Sequence, residues 1–246
     1  MSMQSSIGCY RIARRRRRKA RAIFRWFICT AAVVLLLAWG SKFIGYQTAD
    51  AERGSVHGQF VITRSIAEDI LLVNATSPLP DGFAADALMN LYGEKRYFDL
   101  MSSNIRLERE TFEAANRMFE QARHDGVSGF ILTDGYRTEE KQRELYSKCT
   151  DGTAAMPGAS EHQTGLAFDV TAHSDSGRFE TTEQYRWLSE HCWDFGFILR
   201  YPEGKESITG IPYEPWHYRY VGVEIAREIH QNGWTLEEYC ERNYSS

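Results

Sequence analysis

The first 45 residues of this 246-residue chain contain no aspartate or glutamate. They carry ten basic residues instead: Arg11, Arg14 to Arg18, Lys19, Arg21, Arg25 and Lys42. The other 19 basic residues face all 33 acids, so residues 46–246 hold a net charge of about −14, which the overall −4 conceals. So acidic a body argues against nucleic acid as its partner. Also missing is any Cys-x-x-Cys pair, which leaves a zinc-finger reading without support. Outside the N-terminal region only Cys149, Cys192 and Cys240 remain, an odd number that allows at most one disulfide among them. No repeat or low-complexity segment follows residue 60. What is present, 43% hydrophobic and 13% aromatic residues, suffices for one buried core with an appendage.

Charge is absent again in "WFICTAAVVLLLAWGS", residues 26–41. With Ile23, Phe24 and Phe43 to Tyr46 the run reaches about 24 residues. A helix of that length is roughly 36 Å long, enough to span a hydrocarbon core. Arg25 and Lys42 can snorkel from its ends, and Trp26 and Trp39 suit the two interfaces. The pattern predicts a basic cytoplasmic tail over 1–22, a transmembrane anchor over 23–46, a polar stalk over 47–60 and an extracytoplasmic domain over 61–246. The expected localisation is the cell membrane, single-pass, with the N-terminus cytoplasmic. A cleaved signal peptide competes, because "ADA" at 49–51 resembles a small-x-small cleavage site. Both readings export the acidic body.

Within that body, "ILLVNATSPLPDGF" reads as a short apolar strand ended by Pro78 and Pro80. Helical spacing over Leu107 to Arg123 predicts a helix stopped by Gly126. "GFILTD" (129–134), "GFILRY" and "PWHYRYV" (215–221) read as strands, and residues 147–161 as a loop. Thr138 and Thr182 each fit a helix N-cap. Helices follow at about 222–231 and 236–242, the second with a capping box of Thr235 and Glu238. This mixture predicts an α+β fold, a small antiparallel sheet with packed helices.

Three short stretches hold the chemistry. In "SEHQTGLAFD", His162 and Asp169 are seven apart, so one unbroken strand would point them to opposite faces. Gly165 between them supplies a turn or bulge that lets both converge. In "YEPWHYRY", His217 offers a third ligand and Glu214 lies three residues before it, an offset that converges only if Pro215 distorts the backbone. Two histidines and one carboxylate, with a position left for water, suit catalytic zinc, and a nearby non-ligating carboxylate such as Glu214 could take a proton from that water. In "DGYRTEEKQ", Arg137 could stabilise an oxyanion or hold a carboxylate. Plainer readings exist for each: a turn-capping Asp169 with a surface His162, a strand-edge charge at Glu214, and an ion pair of Arg137 with Glu139 or Glu140.

Together, in the order "DGYRTEEKQ", "SEHQTGLAFD", "EPWHYRY", the stretches resemble the D-alanyl-D-alanine carboxypeptidases of the VanY type. Those enzymes share a zinc peptidase superfamily with D-Ala-D-Ala dipeptidases and the zinc fold of hedgehog proteins. The resemblance extends roughly from Leu71 to Val221. It implies one zinc ion per chain held by His162, Asp169 and His217, with Glu214 as base and Arg137 stabilising the transition state. Ser160 and Gln142 fall where the family contacts substrate. The implied substrate is a peptidoglycan stem peptide ending in D-Ala-D-Ala, cut at its last bond to release D-Ala. Such activity serves routine wall trimming or glycopeptide resistance. A related D,D-dipeptidase, an L,D-peptidase and a non-catalytic cell-wall binding module that keeps a zinc are the alternatives.

Overall fold

The computed structural model describes residues 70–149 and 154–244. The predicted tail, anchor and stalk lie outside the described residues. Among the described residues no helix is long and apolar enough to cross a membrane. The strands are β1 (Leu88–Asn90), β2 (Asp99–Leu100), β3 (Arg106–Glu108), β4 (Phe130–Asp134), β5 (Ala167–Ala172), β6 (Phe197–Leu199) and β7 (His217–Tyr220). The helices are α1 (Arg109–His124), α2 (Glu139–Lys148), α3 (Glu183–His191), α4 (Glu206–Thr209), α5 (Val223–Asn232) and α6 (Leu236–Tyr244).

The sequence "AFDVTA" makes β5 the two-faced centre of a sheet ordered β2-β4-β5-β7-β6. Phe168 and Val170 are fully buried, and the strand's alternation turns Asp169 to the opposite face. The buried face packs on α1, whose Ala115, Met118, Phe119 and Ala122 form one apolar stripe. Phe119 contacts both Phe130 of β4 and Phe168 of β5, with ring centroids 4.7 and 6.0 Å apart. A second cluster gathers Ile198, Val221, Ile225, Ile229, Leu236 and Tyr239 around α5 and α6. The α+β class holds.

Several local expectations need correction. The sheet is mixed, not antiparallel, because β2 runs parallel to β4. The chain between them, through β3 and α1, is long enough to return in the same direction. Residues 70–73 form no strand: the Leu71 carbonyl accepts from Arg219 Nη2 at 2.7 Å, while Ile70 and Leu72 pack on the second cluster. Leu107 belongs to β3, and α1 starts two residues later, capped by the Glu108 carboxylate accepting from Thr111 N. Pro215 and Trp216 lie in a turn closed by His217 N donating to Glu214 O at 3.2 Å, so β7 begins only at His217. The predicted caps at Thr138 and Thr182 form, as does the capping box, with Thr235 N donating to Glu238 Oε2 and Glu238 N to Thr235 Oγ1.

Candidate metal centre

His162 does not lie on β5. "EHQT" winds into a 3₁₀ turn over Glu161–Thr164, which Gly165 ends with a φ of 75°. A Cβ at Gly165 would stand 2.8 Å from Leu88 Cδ2 and 3.1 Å from the Glu108 nitrogen. Conformation and space both demand glycine there. His162 therefore comes from the turn and Asp169 from the strand, which removes the obstacle of their odd spacing. Asp169 and His217 are direct cross-strand partners between β5 and β7, so they share a face. On the other flank, β4 bulges between Leu132 and Asp134, and Asp134 comes to lie opposite Asp169.

These placements bring one donor atom from each of His162, Asp169 and His217 within 4.8 Å of the others. Asp169 Oδ1 is 3.4 Å from His162 Nε2 and 3.0 Å from His217 Nδ1. Tetrahedral coordination with bonds near 2 Å would set such edges at roughly 3.3 Å. The remaining ring nitrogens are held from behind. His162 Nδ1 lies 2.7 Å from the Gly135 carbonyl, and His217 Nε2 lies 3.4 Å from Glu161 Oε2. Two imidazoles aimed from behind at one shared carboxylate oxygen are a donor set that fits zinc.

Glu214 approaches from the turn before β7, its Oε2 3.9 Å from His217 Nδ1. Burial pushes its carboxyl up to about 7, with Asp169 and Glu161 adding to the rise and His217 and Arg137 opposing it. Burial disfavours a charged His217, yet hydrogen bonds to Asp169 and Glu161 carry the imidazole up to about 9. Burial alone would raise Asp169, but His162 and His217 hold its carboxyl well below the usual range.

Arg137 lines the same cleft, of about 470 Å³, with Ser160, Gln142, Tyr201 and Trp216. Its partners are Asp134 (Nε, 2.8 Å), Gln142 (Nη1, 3.1 Å) and Asp169 (Nη2, 3.3 Å), not Glu139 or Glu140. Glu139 pairs with Arg143. Gln142 is buried, its Oε1 accepting from Arg137 while Nε2 donates to Ala155 O at 2.7 Å. Sequence reasoning missed a buried ion cluster behind His217, formed by Glu161, Arg200, Arg219 and Glu237. The available signal was an arginine directly after the apolar run of "GFILRY" and another inside "HYRY", since a buried cation needs an anion.

The family model for VanY, D-alanyl-D-alanine carboxypeptidase, matches residues 104–223. A D-alanyl-D-alanine carboxypeptidase of Enterococcus faecium is 36% identical over 176 residues, and one of Enterococcus faecalis (strain ATCC 700802 / V583) is 38% identical over 187. A solved structure of VanYB in complex with D-alanine-D-alanine is 37% identical, with a TM-score of 0.59 over 70% of this chain and 97% of that one.

The chain belongs to the VanY family. This VanY protein aligns over 70% and 69% of its own length with the two enterococcal relatives, but spans only 57% and 65% of theirs. The VanY fold also recurs, at a TM-score of 0.55 and 38% identity, in a mutant vancomycin resistance D,D-pentapeptidase in complex with Zn(II), over 68% of this chain and 96% of that one. The LdcB LD-carboxypeptidase, 32% identical, superposes with a TM-score of 0.62 over 69% of this chain and 84% of that one.

Proposed function

We propose that this VanY protein is a zinc-dependent D,D-carboxypeptidase that hydrolyses the terminal D-Ala-D-Ala bond of peptidoglycan stem peptides and releases D-Ala. The observation that carries this reading is the convergence of His162, Asp169 and His217 on one point, with Glu214 beside them in an open cleft. A zinc ion held by those three side chains would polarise the scissile carbonyl and acidify the attacking water. Glu214 takes the proton of that water and returns it to the departing amine of D-Ala. Burial raises its carboxyl in the metal-free site, the direction that suits a group that must both accept and release the proton. Arg137, fixed by Asp134 and Gln142, presents its guanidinium to the developing oxyanion. Gln142 also ties that arginine to the loop at Ala155, while Ser160 faces the substrate. Residues 1–22, 23–46 and 47–60 act as cytoplasmic tail, membrane anchor and stalk, which places the cleft of the 61–246 domain where wall precursors lie.

The likeness to an LD-carboxypeptidase makes the L,D cut the second reading. Incubating the protein with a pentapeptide ending in D-Ala-D-Ala, followed by mass spectrometry, decides between them. Loss of one alanine, abolished by a chelator and restored by zinc, is the expected result. A pentapeptide left intact while a tetrapeptide loses its terminal D-Ala would establish the L,D cut. Release of the intact dipeptide would indicate a D,D-dipeptidase, and no cleavage despite bound zinc a binding module.

A further inference from the structure

The ion cluster behind the metal centre is asymmetric. Both Arg200 Nε (2.7 Å) and Arg219 Nη1 (2.8 Å) donate to the same oxygen of Glu161, Oε1. Both guanidiniums thus fall on one oxygen of the carboxylate. Here Oε2 is left facing the His217 ring, 3.4 Å from Nε2. The side chains of Glu161, Arg200 and Arg219 are 0–1% exposed, so water does not compete for that oxygen. The remaining donors are also placed: Arg200 forks onto Glu237 at 2.8 and 2.6 Å, and Arg219 donates to the Leu71 and Tyr220 carbonyls. Two carboxylates, Glu161 and Glu237, thus face two guanidiniums. A neutral His217 with Nδ1 toward Asp169 keeps its proton on Nε2, directed at Glu161.

We propose that Glu161 is the positioning residue of His217: braced by Arg200 and Arg219, it accepts the Nε2 proton, fixes the Nδ1-metallating tautomer and strengthens zinc binding. The inference rests on His162, Asp169 and His217 being the zinc site. One 3₁₀ turn would then supply the ligand His162 and, one residue earlier, the carboxylate that orients the other histidine ligand.

The test is zinc affinity of the full chain, measured by chelator competition, for the wild type, Glu161→Gln and Glu161→Asp. The Asp variant keeps the charge that the arginines need but withdraws the carboxylate from His217 by a methylene. Both variants should bind zinc about 10- to 100-fold more weakly. Gln184→Ala, which removes a buried amide that donates to the Ser128 carbonyl away from this site, should lower the metal-free melting temperature without moving zinc affinity. A folded Glu161 variant with wild-type zinc affinity would overturn the proposal alone. A wild-type chain that binds no zinc would overturn the site reading and this proposal with it. Should neither Glu161 variant fold, imidazole nitrogen NMR of the zinc-loaded wild type decides: a protonated Nε2 on His217 is expected, and zinc on Nε2 overturns the proposal.

Discussion

Burial sets Glu214 apart from an ordinary carboxylate by raising its pKa. It lies 3.9 Å from His217, yet the hydrogen bonds of that histidine go to Asp169 and Glu161 instead. That leaves it available for proton transfer, and its substitution should separate chemistry from metal binding. Glu214→Gln is expected to lower kcat by about 10²- to 10⁴-fold while zinc affinity stays at the wild-type value. The sign of the pH dependence follows from its proposed role as base. Only the ionised carboxylate accepts a proton, so kcat/KM falls as pH drops through its pKa. Burial sets that pKa at about 7 in the metal-free site, and a bound cation can only lower it. The acid limb of the kcat/KM profile should therefore lie at or below about 7; a limb well above it would point to another base.

At the scale of elements, the site depends on where a turn stops and a strand starts. Gly165→Ala places a side chain in the left-handed region and against Leu88 and the Glu108 backbone. It should cost about 1–3 kcal/mol, read as a lower melting temperature, and weaken zinc binding by displacing His162. His162 with Asp169 and Glu214 with His217 stood out in the sequence as two short-range pairs of chemically unusual residues, and the family resemblance joined them across the 48 residues between Asp169 and His217. Whether each sat on a strand or a turn was less legible, since "EHQT" and "EPW" are too short for any period to show. The two-residue strand β2 gave no pattern either, and its parallel pairing stayed hidden. For the ion cluster the two arginines gave a signal, but their pairing was illegible for a different reason. Glu161 meets Arg200 and Arg219 at separations of 39 and 58 residues, so no local window contains a charged residue and its partner.

For the whole molecule, composition divides the chain more sharply than any motif does. The acid-free N-terminal region and its uncharged run are expected to hold the full chain in the membrane fraction after lysis. A chain beginning at residue 61 should partition to the soluble fraction, and protease added to intact cells should reach the acidic domain. A full chain recovered without residues 1–51 would instead mark a cleaved leader.

The ion cluster also bears on where this protein can be cut down for study. Residues 104–223 match the family, but Arg219 is tied to the Leu71 carbonyl and Arg200 to Glu237, both outside those limits. Asn74 completes the closure by donating to Glu237 at 3.0 Å. The two ends of the described chain thus meet on the guanidiniums that brace Glu161. A fragment trimmed to the matched residues would keep every proposed zinc ligand and Glu161, but leave that one carboxylate to balance two buried guanidiniums. The shortest stable unit therefore runs from about Ile70 to the end of α6, set by charge balance and not by the extent of the motifs.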